Sequence, residues 1–354
     1  MFNKNLKYYR LKRDMSKKEL AELCGLSPMA ITNYENGTRN PDMNILKRMA
    51  DVLGIRISDF LTVWDENLEF SHGEFRKTVA LSKTEQDYIR SSTEEYFNRF
   101  FSVLEILGGE ILPDAPKCHS LPVTGDWEED AQALRGHLGL AANGPIRDLI
   151  SVLENKGILV NELKVDNTAF SGMNGFVSSR PYIVLNEAMN TERKRSTIVH
   201  ELAHLMFCWG EDTDAKEIEK SATCISGCFL FPQEDALREL GLHRESITMD
   251  MAMVCKEYGI SMFLLAKRAE QIGIISSKAS NMFYVRASTM GWRSNEPSRI
   301  EPEHPELFEQ LVFRAANENE ISYQKAAELL KMSYKDVIDR CCFKEGVIDG
   351  TNQQ

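Results

Sequence analysis

No apolar run in the 354 residues approaches the roughly 18 to 20 needed to cross a bilayer, and the N-terminal MFNKNLKYYRLKRD lacks the apolar core of a signal peptide. A cytoplasmic protein with no membrane partner is expected. The eight cysteines, at 24, 118, 208, 224, 228, 255, 341 and 342, are scattered. A chain of this length builds its core without staples, so they read as reduced thiols. Internal repeats and low-complexity tracts are absent. Positive charge is in short supply: 42 Lys and Arg face 53 Asp and Glu, a net charge of −11 that argues against a protein coating nucleic acid generally. The average conceals a split, because residues 1–61 hold 11 basic and 7 acidic residues while the remainder holds 31 and 46. A small basic head on an acidic body suits a DNA-reading module joined to something else. What is present, 43% hydrophobic and 27% charged residues, fits a globular chain of two or three domains.

In the basic head, five short helices fit at about 4–13, 16–24, 27–34, 42–53 and 57–61. Ser16 with Glu19 three residues on forms a capping box, and Gly25 is placed as the left-handed stop of the helix it opens. Ser27 and Pro28 start the next helix almost at once. Two helices joined by so tight a turn cross steeply, and the second is free to enter a major groove. The stretch SKKELAELCGLSPMAITNYENGTRNPDMNILKRMADVLGI resembles the Xre/lambda-repressor-like helix-turn-helix family over the whole module. The resemblance implies double-stranded operator DNA as partner, with Ser27, Pro28, Met29, Thr32 and Asn33 at or near base edges. It places Lys17, Asn36, Thr38 and Arg39 at phosphates. Lys17 stands where the family often has Gln, which favours a phosphate contact. Arg10 and Glu35 resemble the family's internal ion pair and are expected to be scaffold. A helix-turn-helix kept only for dimerisation or partner binding is the rival reading.

Residues 62–80 read as a linker, followed by a helix at about 83–107 with an aromatic stripe of Tyr96, Phe97, Phe100 and Phe101, then a Gly108-Gly109 stop. Stripe spacing is helical, so core or dimer packing is expected. Helices at about 126–138 and 144–156 lead into strand-like runs at Ile158–Leu163 and Tyr182–Leu185.

The most informative residues are His200-Glu201-Leu202-Ala203-His204. On a helix the two histidines project from one face about a turn apart, close enough to share one zinc ion. Glu201 lies beside it as the general base that takes a proton from water and delivers it to the leaving amine. A third protein ligand is needed, and Gly210 occupies the place where an extended HExxHxxGxxH site would have its last histidine. Downstream, helical geometry over about 214–231 sets Ala215, Ala222, Thr223, Ser226 and Leu230 within about 60° of Glu219 but Glu217 about 160° away. Glu219 is therefore the expected third ligand, and the acids at 211–217 a solvated run. Cys224 and Cys228 lie about 140° and 180° from Glu219 and are expected to be buried small residues. Cys208, one turn past His204, is a candidate redox influence on the site.

RPYIVLN at 180–186, RKRSTIVHELAHLMF at 193–207 and EKSATCISGCFLFP at 219–232 resemble the ImmA/IrrE family of zinc metallopeptidases, over roughly 130–275. The resemblance implies one zinc per chain, with His200, His204 and Glu219 as ligands and Glu201 as base. It implies a repressor of the helix-turn-helix type as protein substrate. Thr223 and Phe231 depart from the family where Asn and Met are frequent, and neither is expected to touch the chemistry. Ile183–Asn186 is either a substrate-pairing edge strand or a core strand. The segment 250–276 reads as helix, Gly turn, helix, and the tail beyond about 288 as helical and amphipathic.

These readings give a multidomain chain: an all-α lambda-repressor-like head at 1–61; a linker and helical connector at 62–125; a mainly helical α+β, zincin-like metallopeptidase domain at 126–279; and a helical C-terminal region at 280–354. The expected function is an operator-binding regulator, dimeric by operator symmetry, with a zinc-dependent endopeptidase that cuts a repressor or another copy of itself under stress or a mobile-element signal. The alternatives are a non-proteolytic factor sensing a metal, peptide or small ligand, and an antitoxin-like binding protein.

Overall fold

A computed structural model describes residues 2–65, 67–73, 81–293 and 295–341. They form two compact units, one from the described residues up to 95 with those of 113–305, and a second from 96–112 with 306–341. The parts of the expected linker at 66 and 74–80, and the tail beyond 341 with Cys342, lie outside the described residues.

The head is α1 (Phe2–Lys12), α2 (Lys17–Cys24), α3 (Pro28–Glu35) and α4 (Met43–Leu53), closed by a 3-10 turn at Ile57–Leu61. Local chemistry sets each boundary. The Ser16 hydroxyl accepts the Glu19 N–H while the Glu19 carboxylate accepts the Ser16 N–H at 2.7 Å, and Gly25 ends α2 at φ 64°. Ser27 caps α3, with Pro28 at its first position, where a missing N–H costs nothing. Leu6, Leu20, Ala21, Ile31, Met49, Leu53 and Phe60 have no exposure and make the head's core. Each large one contributes roughly 1.5–3 kcal/mol of burial.

Past the head come β1 (Phe70–His72), α5 (Lys83–Ile106), β2 (Leu121–Pro122), α6 (Trp127–His137), α7 (Leu149–Glu154), β3 (Leu159–Leu163), β4 (Gly172–Val177), β5 (Arg180–Asn186), α8 (Thr191–Met206), β6 (Phe207–Cys208), α9 (Ala215–Leu230), α10 (Gln233–Leu240), α11 (Met251–Tyr258), α12 (Met262–Gln271) and α13 (Ser277–Thr289). The main sheet runs in the order β1-β4-β5-β3, antiparallel except for the β3–β5 pair, and β2 pairs with β6 in a second, two-stranded sheet. The expected linker thus supplies an edge strand. Its Phe70–His72 carry no run long enough to read as a strand, and their partner lies over a hundred residues away. Ile183–Asn186 belongs to β5, inside the sheet between β4 and β3, so it is a core strand and not an edge. Tyr182, Ile183, Val184 and Leu185 are fully buried there.

Helix α8 packs on this sheet, and α9 packs against α8 and α6. Ser226 donates to the Ser196 carbonyl at 2.8 Å, tying α9 to α8. Gly172 lets β4 approach α8, because a Cβ there would stand 2.7 Å from Thr197. In the second unit, α14 (Leu307–Asn317), α15 (Tyr323–Leu330) and α16 (Tyr334–Cys341) pack with the end of α5. The aromatic stripe is core: Phe308 lies 5.2 Å from Tyr96 and 5.6 Å from Phe100, ring centre to ring centre. No helix among the described residues is long and apolar enough to cross a membrane.

Candidate metal centre and candidate nucleic-acid interface

Asn190 caps α8 by accepting the Arg193 N–H, and the helix then carries His200, Glu201 and His204 on its sheet- and α9-facing side. His200 and Glu201 are buried, at 4% and 6% exposure. The Nε2 atoms of His200 and His204 stand 3.1 Å apart. From α9, the Glu219 carboxylate comes within 3.4 Å of the first and 3.2 Å of the second. Donors about 2.0–2.1 Å from a tetrahedral zinc lie about 3.3 Å from one another, so two imidazoles and a carboxylate at these spacings fit that ion. Among the described residues this is the one cluster of three such side chains that could hold a metal. The neighbouring acids at 211–217 do not join it, nor do Cys224 and Cys228. Cys228 is buried at 2% exposure, and burial pushes its thiol up, as it does that of Cys224.

Residues 153–270 match the IrrE N-terminal-like domain, and residues 6–60 match the helix-turn-helix family. The chain is a helix-turn-helix transcriptional regulator fused to an IrrE-like, peptidase-like domain. Among curated relatives it is similar to YqaE of Bacillus subtilis (strain 168), an uncharacterized HTH-type transcriptional regulator, at 29% identity over 22% of this chain and 67% of that one. It is also similar to RstR of Vibrio cholerae, the cryptic phage CTXphi transcriptional repressor, at 25% identity over 20% of this chain and 62% of that one. The chain thus spans about two thirds of the length of these relatives. Alignment with the crystal structure of Bacillus thuringiensis PlcR in complex with the peptide PapR7 and DNA covers 96% of this chain and 94% of that one. Identity there is 13% and the TM-score 0.18, too low to carry an argument.

Two further residues of the IrrE-like domain touch the site, Asn174, which sequence reasoning passed over, and Thr223, which it set aside. Asn174, on β4, donates its amide to Glu201 Oε2 at 2.7 Å, so one carboxylate oxygen is held while the other is left to the cleft. Its strand was not legible, since Gly172 and Gly175 dilute the alternation that Met173 and Val177 would otherwise announce. Thr223, expected to be clear of the chemistry, is a correction. Its hydroxyl stands 3.3 Å from His200 Nδ1 and donates to the Glu219 carbonyl at 2.8 Å. Accepting the Nδ1 proton fixes the tautomer that leaves Nε2 free as a ligand. Cys208 is a second correction: α8 ends at Met206, and the thiol turns away to the His119 carbonyl at 2.6 Å.

Cavities open on both sides of the cluster. A cleft of about 290 Å³ is lined by Gly73, Met173, Asn174, Glu201, His204 and Glu219 among others. A larger cavity of about 810 Å³ begins at His200 and Thr223 and runs past Arg193, Lys267 and Tyr284.

In the head, the structure distributes the sequence-predicted residues along α3 and the loop after it. Met29 is 66% exposed. Thr32 and Asn33 are half-buried, and Asn36, Thr38 and Arg39 are exposed. Ser27 spends its hydroxyl on the cap, Thr32 bonds the Pro28 carbonyl, and Thr38 bonds the Asn33 carbonyl. Arg10 and Glu35 form the expected buried pair, with Nε to Oε1 at 2.5 Å and a second bond at 3.1 Å. Lys17 stands 3.3 Å from the same carboxylate, half-buried, with its ammonium at the end of α3.

Proposed function

We propose that the chain binds an operator through its head and carries a zinc-dependent endopeptidase activity in its IrrE-like domain, directed at a helix-turn-helix repressor or at another copy of itself. The observation that supports it best is the convergence of His200, His204 and Glu219, with Glu201 seated beside them in an open cleft. A zinc ion held by those three would supply Lewis acidity toward a water and a peptide carbonyl. Glu201 would accept the proton on the oxygen that Asn174 leaves free, then hand it to the leaving amine. Asn174 holds the carboxylate in place, and Thr223 holds His200.

Binding to DNA would use α3: Met29, Thr32 and Asn33 toward base edges, with Ser27 and Pro28 setting the helix start. Lys17, Asn36, Thr38 and Arg39 would meet phosphates. A homodimer follows from operator symmetry, and DNA as partner puts the protein in the cytoplasm. A purely sensing domain would have no use for a carboxylate tethered beside the metal ligands, which favours the peptidase over the sensor.

Elemental analysis of metal-repleted protein tests this reading. About one zinc per chain is expected in the wild type, with weakened retention in both His204→Ala and Glu219→Ala. Glu201→Gln should keep zinc and DNA binding and lose cleavage. A wild type without zinc, or a Glu201→Gln variant that still cleaves, would refute the assignment.

A further inference from the structure

The C-terminal unit repeats the head. Its helices α14, α15 and α16 have 11, 8 and 8 residues, as α1, α2 and α3 do. From the second helix onward the two agree position for position at a constant offset. Ser16 and Ser322 cap that helix, each hydroxyl accepting the N–H three residues on at 3.1 Å. Gly25 and Lys331 end it in the left-handed region, at φ 64° and 54°. Leu26 and Met332 then bond back to the Ala21 and Ala327 carbonyls at 2.8 and 3.0 Å. Ser27 and Ser333 cap the third helix, at 3.2 and 3.1 Å. Core positions coincide too: Leu20, Ala21 and Ile31 in the head correspond to Ala326, Ala327 and Val337, all buried. Identical residues stand at only five of the twenty paired positions of 16–35 and 322–341, so the repeat lies in caps and backbone and is faint as a sequence.

The turn alone does not make a DNA reader. A left-handed glycine and a serine cap also join α11 to α12, at Gly259 and Ser261, but there the second helix is sunk in the core, with Met262, Leu265, Ala266 and Ala269 buried. Helix α16 is the opposite case. Val337 is its buried residue, Tyr334 is 51% exposed, Lys335 and Asp339 are exposed and Ile338 is half-buried. In α3 the matching Pro28 and Met29 are exposed and Thr32 is half-buried. Charge separates the two modules in the tail's favour, since 322–341 holds four basic and three acidic residues against two and three in 16–35. Arg340 on α16 holds Glu309 on α14 at 2.8 and 2.9 Å, bracing the third helix on the first as Arg10 and Glu35 do in the head.

We infer that α15 and α16 form a second helix-turn-helix that reads double-stranded DNA, with α16 in the major groove. Lys335 and Asp339 stand at the places of Met29 and Asn33. They present a donor suited to guanine O6 and N7 and an acceptor suited to the cytosine amino group. Lys331 occupies a turn position that glycine would take without strain, and it sets a cation where the head has none, toward the phosphates. Two reading modules on one chain raise each other's effective concentration on a duplex that carries both sites, so the loss of either weakens binding by the whole chain. Nothing in this reading depends on the metal centre.

The test uses the full chain and a pool of fluorescent DNA duplexes of random sequence, with binding read by anisotropy across a salt series. Lys331→Gly combined with Lys335→Ala should lower the slope of log affinity against log salt by about 1–2, because each cation removed from the interface releases about one counterion fewer. Glycine suits the left-handed turn, so the unit stays folded, and hydrogen exchange at Ala327 and Val337 checks that it does. Selection from the same pool should recover two separate sequence elements, of which Asp339→Ala loses one and Asn33→Ala the other.

An unchanged slope in a folded double variant overturns the inference. So does recovery of a single element that Asp339→Ala leaves intact. A double variant that keeps its slope but changes its mass by light scattering would make α16 a protein-docking helix, which overturns it as well. Lys17→Ala lowers the slope through the head in every case, so failure here is distinguishable from failure of DNA binding by the head.

Discussion

Removing Glu35 should cost the head most of its stability. The Arg10 side chain is 6% exposed and that of Glu35 2%, and the two meet through a forked pair of hydrogen bonds. Glu35→Ala strands the guanidinium in the core with only the Met15 carbonyl as partner. Breaking one side of a buried pair costs about 3–5 kcal/mol. A 60-residue domain at about 0.05–0.15 kcal/mol per residue has only about 3–9 kcal/mol in all. Lys17, with 39% of its side chain exposed, adds little to that figure. At roughly 4–8 °C per kcal/mol for a domain of this size, the head's Tm should fall by about 12–40 °C. Replacing both partners, Arg10→Met with Glu35→Leu, removes the charge problem and should return stability close to wild type. Hydrogen exchange in the full chain at Leu20, Ile31 and Ala50 would read the head separately from the rest. A Glu35→Ala loss under about 1 kcal/mol, or a double variant no better than the single, would refute the reasoning.

Thr223→Val should leave the fold intact but weaken zinc retention against a chelator by about 10–100-fold, because His200 loses the partner that fixes its tautomer; an unchanged chelation curve would show the hydroxyl to be idle. Alkylation of native protein near pH 8 should modify the exposed Cys208 well before Cys118, whose thiol burial pushes up to about 11, and before the buried Cys255; peptide mass mapping reads the order, and early labelling at Cys255 would contradict the packing. Burial raises the Glu296 carboxyl, so its contribution to stability is fully present below the unfolded value near 4.5 and lost as pH rises through the higher folded one. Glu296→Gln should therefore gain on wild type between pH 4 and pH 7 in paired thermal melts; a constant difference would dismiss the linkage. Asn33→Ala should relax operator selectivity, whereas Lys17→Ala should weaken all sequences alike and lower the salt slope by about 1; the reverse pattern in binding titrations would overturn that sorting of contacts.

What the chain discloses in its sequence is what is local. Ser16, Glu19, Gly25, Ser27 and Pro28 each act within a few residues, so the head's helices could be placed almost to the residue. His200, Glu201 and His204 are legible for the same reason, and Glu219 follows from the face of one helix. Pairing across long separations leaves no such mark. Nothing near Phe70 announces that it faces Val177, and Asn174 is an unremarked polar residue until β4 is laid beside α8. Thr223 illustrates a different limit: its helix face was read correctly, but the reach of its hydroxyl to a neighbouring helix was not. Cys208 was misplaced because α8 ends two residues early, where Phe207 and Cys208 leave to pair with Leu121 and Pro122.

The two glycines of β4 have a consequence for how the domain assembles. Gly172 and Gly175 are an odd number of residues apart and so face opposite ways, one against Thr197 of α8 and the other against Ser71 and Tyr182. A one-residue slip would turn every side chain of the strand over. Ser171 or Met173 would then be driven into α8, and Asn174 or Phe176 into β1. Slips in both directions are sterically rejected, so the glycine pair works as a key that admits a single alignment of the strand, the one in which Asn174 meets Glu201.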